Sequence, residues 1–386
     1  NDAAEGVANE EGSEFGMGPS WPAYAALLGA QALPFVSRAN VSDVVYFMVT
    51  ASATLFVGCK RAMLSPQVEE LTRSTAVIAP LISSGYLFGL YCLLKYTQID
   101  IGAVFLATTS LFGTLCLASS IRPILQSLAP ESIRSVSIPL PPNPFASASK
   151  TLSAAETPAK RPRLQALDAT SLLGAAAVAA AYLTHNQPNF LFSNLLAWGI
   201  AVESLSLIRP ASFFVAAALL SGLFFYDIFW VFGGDVMVTV ATKLDAPAKF
   251  LFPRDLSTAA DPSTVYPFAV LGLGDVVVPG IFATLALLLD KLLVFNDDQN
   301  EPHYIPSGPY FSAAVTGYIL GLSATFVANS TTNAAQPALL YLVPALIGSA
   351  LVTAARRGEF KQLLAFRAPK PPKAPPTSQE SNPDPK

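Results

Sequence analysis

Long apolar runs, separated by short charged or turn-forming clusters, recur along the chain from Asp43 to about Ala354. A helix needs about 20 apolar residues to cross a bilayer, and only helices and closed barrels satisfy their backbone groups in lipid. On that basis the first four spans are expected at Asp43–Cys59, Thr75–Lys95, Ile99–Ser119 and Ala169–Thr184. Five more follow at Asn189–Leu207, Ala211 to about Val240, Tyr266–Leu289, Tyr310–Ala328 and Ala335–Ala354, which makes nine. Trp21–Val36 is apolar but short and carries Pro22 and Pro34. It is a tenth span, an interfacial helix or the bent first part of the Asp43 helix, and the last two fit better.

Polar positions set the orientation, because Lys and Arg in short loops stay cytosolic. Lys60, Arg61 and Arg73 follow the first span, and Arg122, Arg134, Lys150, Lys160, Arg161 and Arg163 follow the third. Arg209, Lys291 and the tail from Arg356 to Lys373 follow the fifth, seventh and ninth, while the opposite side carries Arg38, Lys95, Lys243, Lys249 and Arg254. The bias puts the N-terminus outside or in the lumen and the C-terminus in the cytosol. The chain then divides into a luminal segment over 1–41 and three transmembrane helices over 42–129. A mobile, Pro/Ser/Ala-rich cytosolic loop covers 130–168, six helices cover 169–354, and a disordered cytosolic tail covers 355–386.

Composition agrees with a chain whose solvent is lipid. Of 386 residues, 52% are hydrophobic and 13% charged, against about 25% charged in soluble domains. A net charge of −3 points to no nucleic acid. Cys59, Cys92 and Cys116 lie in or beside apolar runs and form neither a disulfide framework nor a zinc pattern. His185 and His303 are far apart and near expected loops, which argues against a histidine-based metal or nucleophile site. The sequence opens on Asn1 rather than Met, as a processed or shortened N-terminus would.

Charge within hydrocarbon is costly, so an ionisable residue there is a functional candidate. Asp227 is central in Phe213–Val240, Asp275 is central in Tyr266–Leu289, and Glu203 lies nearer a cytosolic helix end. Two carboxylates brought together in a dry site cannot both ionise and share a proton. One can then take a proton from water while the other protonates a scissile carbonyl, with no covalent intermediate and no cofactor. Hydrolysis in a bilayer also needs an opened substrate helix and room for its backbone. Gly272-Leu273-Gly274 beside Asp275, Pro279-Gly280 beyond it and Gly233-Gly234 after Asp227 would loosen their helices. Pro337-Ala338-Leu339 at the mouth of the last span would shape a substrate entrance.

Three of these segments carry a resemblance. Phe225-Tyr226-Asp227-Ile228-Phe229-Trp230, Leu271-Gly272-Leu273-Gly274-Asp275 and Gln336-Pro337-Ala338-Leu339-Leu340 resemble, in order, the Tyr-Asp, Gly-x-Gly-Asp and Pro-Ala-Leu segments of the signal peptide peptidase family. The likeness covers about Asp43 to Gln362. It implies an all-α, presenilin-like bundle of about nine helices, with catalytic Asp227 and Asp275 supported by Tyr226, Gly272, Leu273 and Gly274. It also implies a substrate site at Pro337, Ala338 and Leu339. The implied activity is cleavage of remnant signal peptides and type II-oriented segments in the endoplasmic reticulum membrane, with a homo-oligomer or a degradation complex left open. Presenilin shares the motifs in the opposite orientation, and the Lys/Arg bias favours the peptidase side. Asp235 departs from the family pattern, and the tail lacks a dilysine signal. Sequons at Asn40 and Asn329 fall on the expected luminal side, each abutting a span. Paired intramembrane acids would also suit a proton-coupled transporter, and the motifs could persist as packing in a catalytically idle membrane chaperone.

Overall fold

The protein is described by a computed structural model covering residues 21–36, 43–65, 68–96, 101–134, 136–139, 163–184, 189–234, 236–244, 246–253, 268–294, 307–332 and 336–369. Asn40, His185, Asp235 and His303 lie outside these, as do residues 140–162 and 370–386, on which most of the expected loop and tail fall. Nine helices among the described residues are long and apolar enough to cross a membrane. The chain forms two compact units. The first is built from 1–47, 99–203 and 242–273, the second from 48–98, 204–241 and 274–386.

The first described elements are α1 (Trp21–Val36) and α2 (Asp43–Leu64). At 16 residues, α1 is about 24 Å long, short of the ~30 Å of hydrocarbon. Next come β1 (Glu69–Leu71), α3 (Arg73–Tyr96), α4 (Ile101–Leu128), α5 (Glu131–Arg134), β2 (Ser137–Pro139), β3 (Arg163–Gln165), α6 (Ala166–Thr184) and α7 (Phe190–Leu207). In the first unit α4 packs on α6, and antiparallel β2–β3 joins their ends. Arg122 locks this corner through Asp168 Oδ1 at 2.8 Å and Gln165 Oε1 at 2.9 Å. The ends of the expected mobile loop are thus tied down, which corrects its boundaries.

The remaining elements are β4 (Ile208–Pro210), α8 (Phe213–Phe232), α9 (Val236–Lys243), β5 (Lys249–Pro253), β6 (Phe268–Gly272), α10 (Gly274–Leu289, ending in a π turn over Asp290–Val294), α11 (Pro309–Thr332), α12 (Leu339–Arg357) and α13 (Phe360–Ala365). Two expected spans differ. The sixth stops at Phe232, where Gly233 caps the helix and Gly234 takes φ +149°, a conformation that suits glycine alone. The seventh begins as a strand: Phe268–Gly272 pairs antiparallel with Lys249–Pro253, so only Gly274 onward is helical. Neither Asp227 nor Asp275 is therefore central in its helix. Asp227 lies near a C-terminal end and Asp275 in a first turn.

Buried amides and carboxylates tie elements together where lipid and apolar side chains cannot. In the first unit Asn194 of α7 donates to Leu251 O at 2.8 Å and accepts from Leu251 N at 2.7 Å, holding β5 as a strand would. Its amide also donates to the Tyr46 hydroxyl at 2.7 Å. In the second unit Asp290, fully buried, accepts from Tyr310 N at 2.9 Å and Phe311 N at 2.8 Å. These are orphan donors of the first turn of α11, so Asp290 caps one helix from the end of another.

Close approach of α11 and α12 rests on Gly317 and Gly321, one turn apart. A Cβ on Gly321 would stand 2.9 Å from Leu342 Cα, and one on Gly317 would stand 2.8 Å from Ala345 O. Small residues at that spacing let membrane helices pack backbone to backbone. Helix α3 grips α8 in a similar way, its Pro80 ring filling the notch at Gly222. Ser84 Oγ accepts from Trp230 Nε1 at 3.1 Å, Phe88 stacks on Trp230 with centroids 6.2 Å apart, and the Arg73 guanidinium covers the Phe214 ring at 4.9 Å. The other side of α3, including Leu81, Ile82 and Tyr86, is exposed.

Residues 355–369, expected within a disordered tail, are ordered. Helix α12 continues to Arg357, and α13 buries Leu363. Ala368 N then donates to Ala211 O at 2.8 Å.

Candidate active site

Helix α8 starts where Ser212 Oγ accepts from Val215 N at 3.2 Å, an N-cap that satisfies one orphan donor. It carries Tyr226, half-buried, and Asp227, 5% exposed. Helix α10 starts where strand β6 stops. Gly272 is the last paired strand residue, opposite Lys249, and Leu273 N donates to Ala248 O at 3.3 Å. Gly274 opens the helix, exposed, with open space where a Cβ would stand. Neither Gly272 nor Gly274 has a left-handed backbone. Their expected loosening of a helix is thus replaced by a strand-to-helix junction. Asp275 sits half-buried in the first turn. Pro279 has no N–H, so the carbonyl of Asp275 lacks its helical donor.

The Pro-Ala-Leu segment forms the turn into α12. Leu340 N donates to Pro337 O at 3.2 Å, and Leu342 N donates to Ala338 O at 3.1 Å. Ala338 stands at the N-cap and has no side-chain oxygen to offer. Asp227 takes that role, its Oδ2 accepting from Leu339 N at 2.9 Å. A charge-assisted bond of this kind contributes about 1.5–3 kcal/mol.

Asp227, Asp275 and Pro337–Leu339 thus share the second unit, in which α8, α10 and α12 pack pairwise. Asp227 lies within electrostatic reach of Asp275. Gly272 and Leu273 are the last residues of the first unit. Asn329 is exposed in the last turn of α11. Among the described residues no group of His, Cys, Asp and Glu is placed to hold a metal ion.

Three features carried weaker sequence signals. The fully buried hydroxyl of Tyr318 on α11 finds no hydrogen-bond partner among the described residues and lies within electrostatic reach of Asp275. A buried orphan hydroxyl calls for a reason, and nothing in the local sequence announces this one. Asp290 reads as a span-end acid, while Gly317-x-x-x-Gly321 is visible as a helix-packing spacing.

Comparison with known proteins places the chain in a family. Residues 64–370 match the family model described as signal peptide peptidase. A probable intramembrane protease of Schizosaccharomyces pombe is 40% identical over 199 residues, which cover 52% of this chain and 63% of that protein. The signal peptide peptidase of Homo sapiens is 33% identical over 330 residues, 84% of this chain and 82% of that protein. A presenilin family intramembrane aspartate protease structure aligns with a TM-score of 0.43 at 16% identity, covering 85% of this chain and 98% of that one. With four-fifths of its length inside one family model, the chain belongs to the signal peptide peptidase family of intramembrane aspartyl proteases.

Proposed function

We propose that Asp227 and Asp275 are the catalytic pair and that the chain cleaves remnant signal peptides and other type II-oriented membrane segments. The hydrogen bond from Leu339 N to Asp227 Oδ2 carries this reading, because it joins the Pro-Ala-Leu turn to one of the two acids. Water attacks the scissile carbonyl carbon and gives its proton to one carboxylate, while the other protonates the carbonyl oxygen. Collapse of the tetrahedral species then returns a proton to the departing amine. The roles belong to the pair, since coupled acids titrate together. Tyr226 and Gly272–Gly274 support the acids, and Pro337–Leu339 forms the wall against which an opened substrate lies.

The Lys/Arg distribution supports a luminal N-terminus and a cytosolic C-terminus, and membership of the signal peptide peptidase family supports an endoplasmic reticulum membrane. The 130–168 loop and the end of the tail are then cytosolic. A homo-oligomer or a degradation complex is compatible with that placement.

The test is cleavage of a signal-peptide-like type II helix by purified protein in detergent, wild type against Asp275→Ala. Product from wild type alone is expected. Equal product from both would remove Asp275 from the mechanism, and no product from either would turn attention to a non-catalytic role.

A further inference from the structure

Gly358, with φ +71°, ends α12 in a left-handed cap and turns the chain, its N–H reaching Ala354 O and Ala355 O. Glu359 then receives both arms of Arg357 at 2.9 Å and the Tyr310 hydroxyl at 2.8 Å, which fixes the direction of departure. Helix α13 follows at once. Only two residues separate it from a candidate membrane span, about 7 Å of chain, so it must lie at the bilayer surface where that span ends.

Its two sides differ. Leu363 and Phe366 are buried against the protein, whereas Phe360 and Leu364, one turn apart, are 45% and 53% exposed. Exposed Arg356, Lys361 and Arg367 lie within four residues of that apolar pair along the chain. An apolar edge flanked along the chain by basic side chains, at the depth of the headgroups, matches a leaflet carrying anionic lipid. We infer that residues 356–367 form a docking surface for anionic phospholipid headgroups, with Phe360 and Leu364 seated among the acyl chains. The far end of this strap is not free. Arg367 bridges to Ser212, the residue that caps the Asp227 helix, and Ala368 N holds Ala211 O. Headgroup occupancy therefore bears on the start of that helix, and cleavage rate follows lipid charge.

The experiment places the full chain in nanodiscs of phosphatidylcholine alone or of phosphatidylcholine with phosphatidylserine. It reads amide hydrogen exchange over 358–368, a readout that does not depend on catalysis. Exchange is expected to slow severalfold with phosphatidylserine and to lose that response in high salt. The triple variant Arg356→Gln/Lys361→Gln/Arg367→Gln should show no slowing, since each basic side chain near an anionic surface is worth roughly fivefold in partitioning. Should the triple variant fold poorly, Lys361→Gln alone must reduce the response. Exchange indifferent to phosphatidylserine in wild type, or an unchanged response in these variants, overturns the inference.

Discussion

The carboxylate of Asp227 and the backbone N–H of Leu339, 112 residues apart, meet at 2.9 Å. That contact makes one proposed catalytic acid the N-cap of the helix that follows the Pro-Ala-Leu turn. Because Ala338 cannot cap its own helix, the geometry of the substrate wall depends on a side chain from a different span.

Replacing Asp227 should therefore separate chemistry from architecture. Asp227→Asn keeps a carbonyl oxygen for Leu339 N–H and should unfold within about 1 kcal/mol of wild type, while cleavage falls roughly 10²–10⁴-fold. Asp227→Ala should be equally inactive and in addition about 1–3 kcal/mol less stable. Cleavage assays paired with thermal unfolding in detergent would measure both. Equal stability of the two variants would show that the cap contributes nothing.

The glycine contacts between α11 and α12 give a second, independent handle. Gly321→Ala sets a methyl 2.9 Å from Leu342 Cα and should cost about 1–3 kcal/mol. Gly348→Ala in α12 meets nothing within 4 Å and should be neutral or stabilising by up to about 1 kcal/mol. Melting temperatures in one detergent compare them directly, and activity should fall only in the first.

At the other end of α10, removal of the Asp290 carboxylate strands the N–H groups of Tyr310 and Phe311. Asp290→Ala should lower stability by about 2–5 kcal/mol, with Asp290→Asn intermediate because one oxygen acceptor survives. A variant as stable as wild type would mean that water reaches these donors freely.

Stability on acidification should reveal Glu359. The Arg357 guanidinium bonded to it holds its carboxyl below the usual glutamate value, which is about 4.3 in an unfolded chain. Its contribution is therefore fully present above about pH 4.3 and disappears as pH falls through the lower folded value. Glu359→Gln should be less stable than wild type at neutral pH, and the gap should close in acid. Unfolding curves across that range would show it, and a constant gap would assign the effect to packing instead.

The spans were legible because hydrocarbon imposes one rule on the backbone, and that rule fixes how long an uncharged run must be. The same rule hid the strand at Phe268–Gly272. A short apolar run reads alike as helix or buried strand, and its partner Lys249–Pro253 looked like a loop. The position of Asp275 along its helix shifted accordingly, and that of Asp227 because its helix stops before Gly233, although the residues themselves stood out as charges in lipid. Asn194 and Asp290 were hard to weigh for a different reason. What each does depends on orphan backbone groups of a distant segment, Leu251 in one case and Tyr310 with Phe311 in the other.

Helix α3 meets α8 at Pro80 on Gly222, at Ser84 and Phe88 on Trp230, and at Arg73 on Phe214, on both sides of Asp227 along the helix. Two rods fastened at both ends turn as one. Set across a bilayer, the pair would tilt together as the hydrocarbon thickens or thins, so the Asp227 helix does not shift without α3.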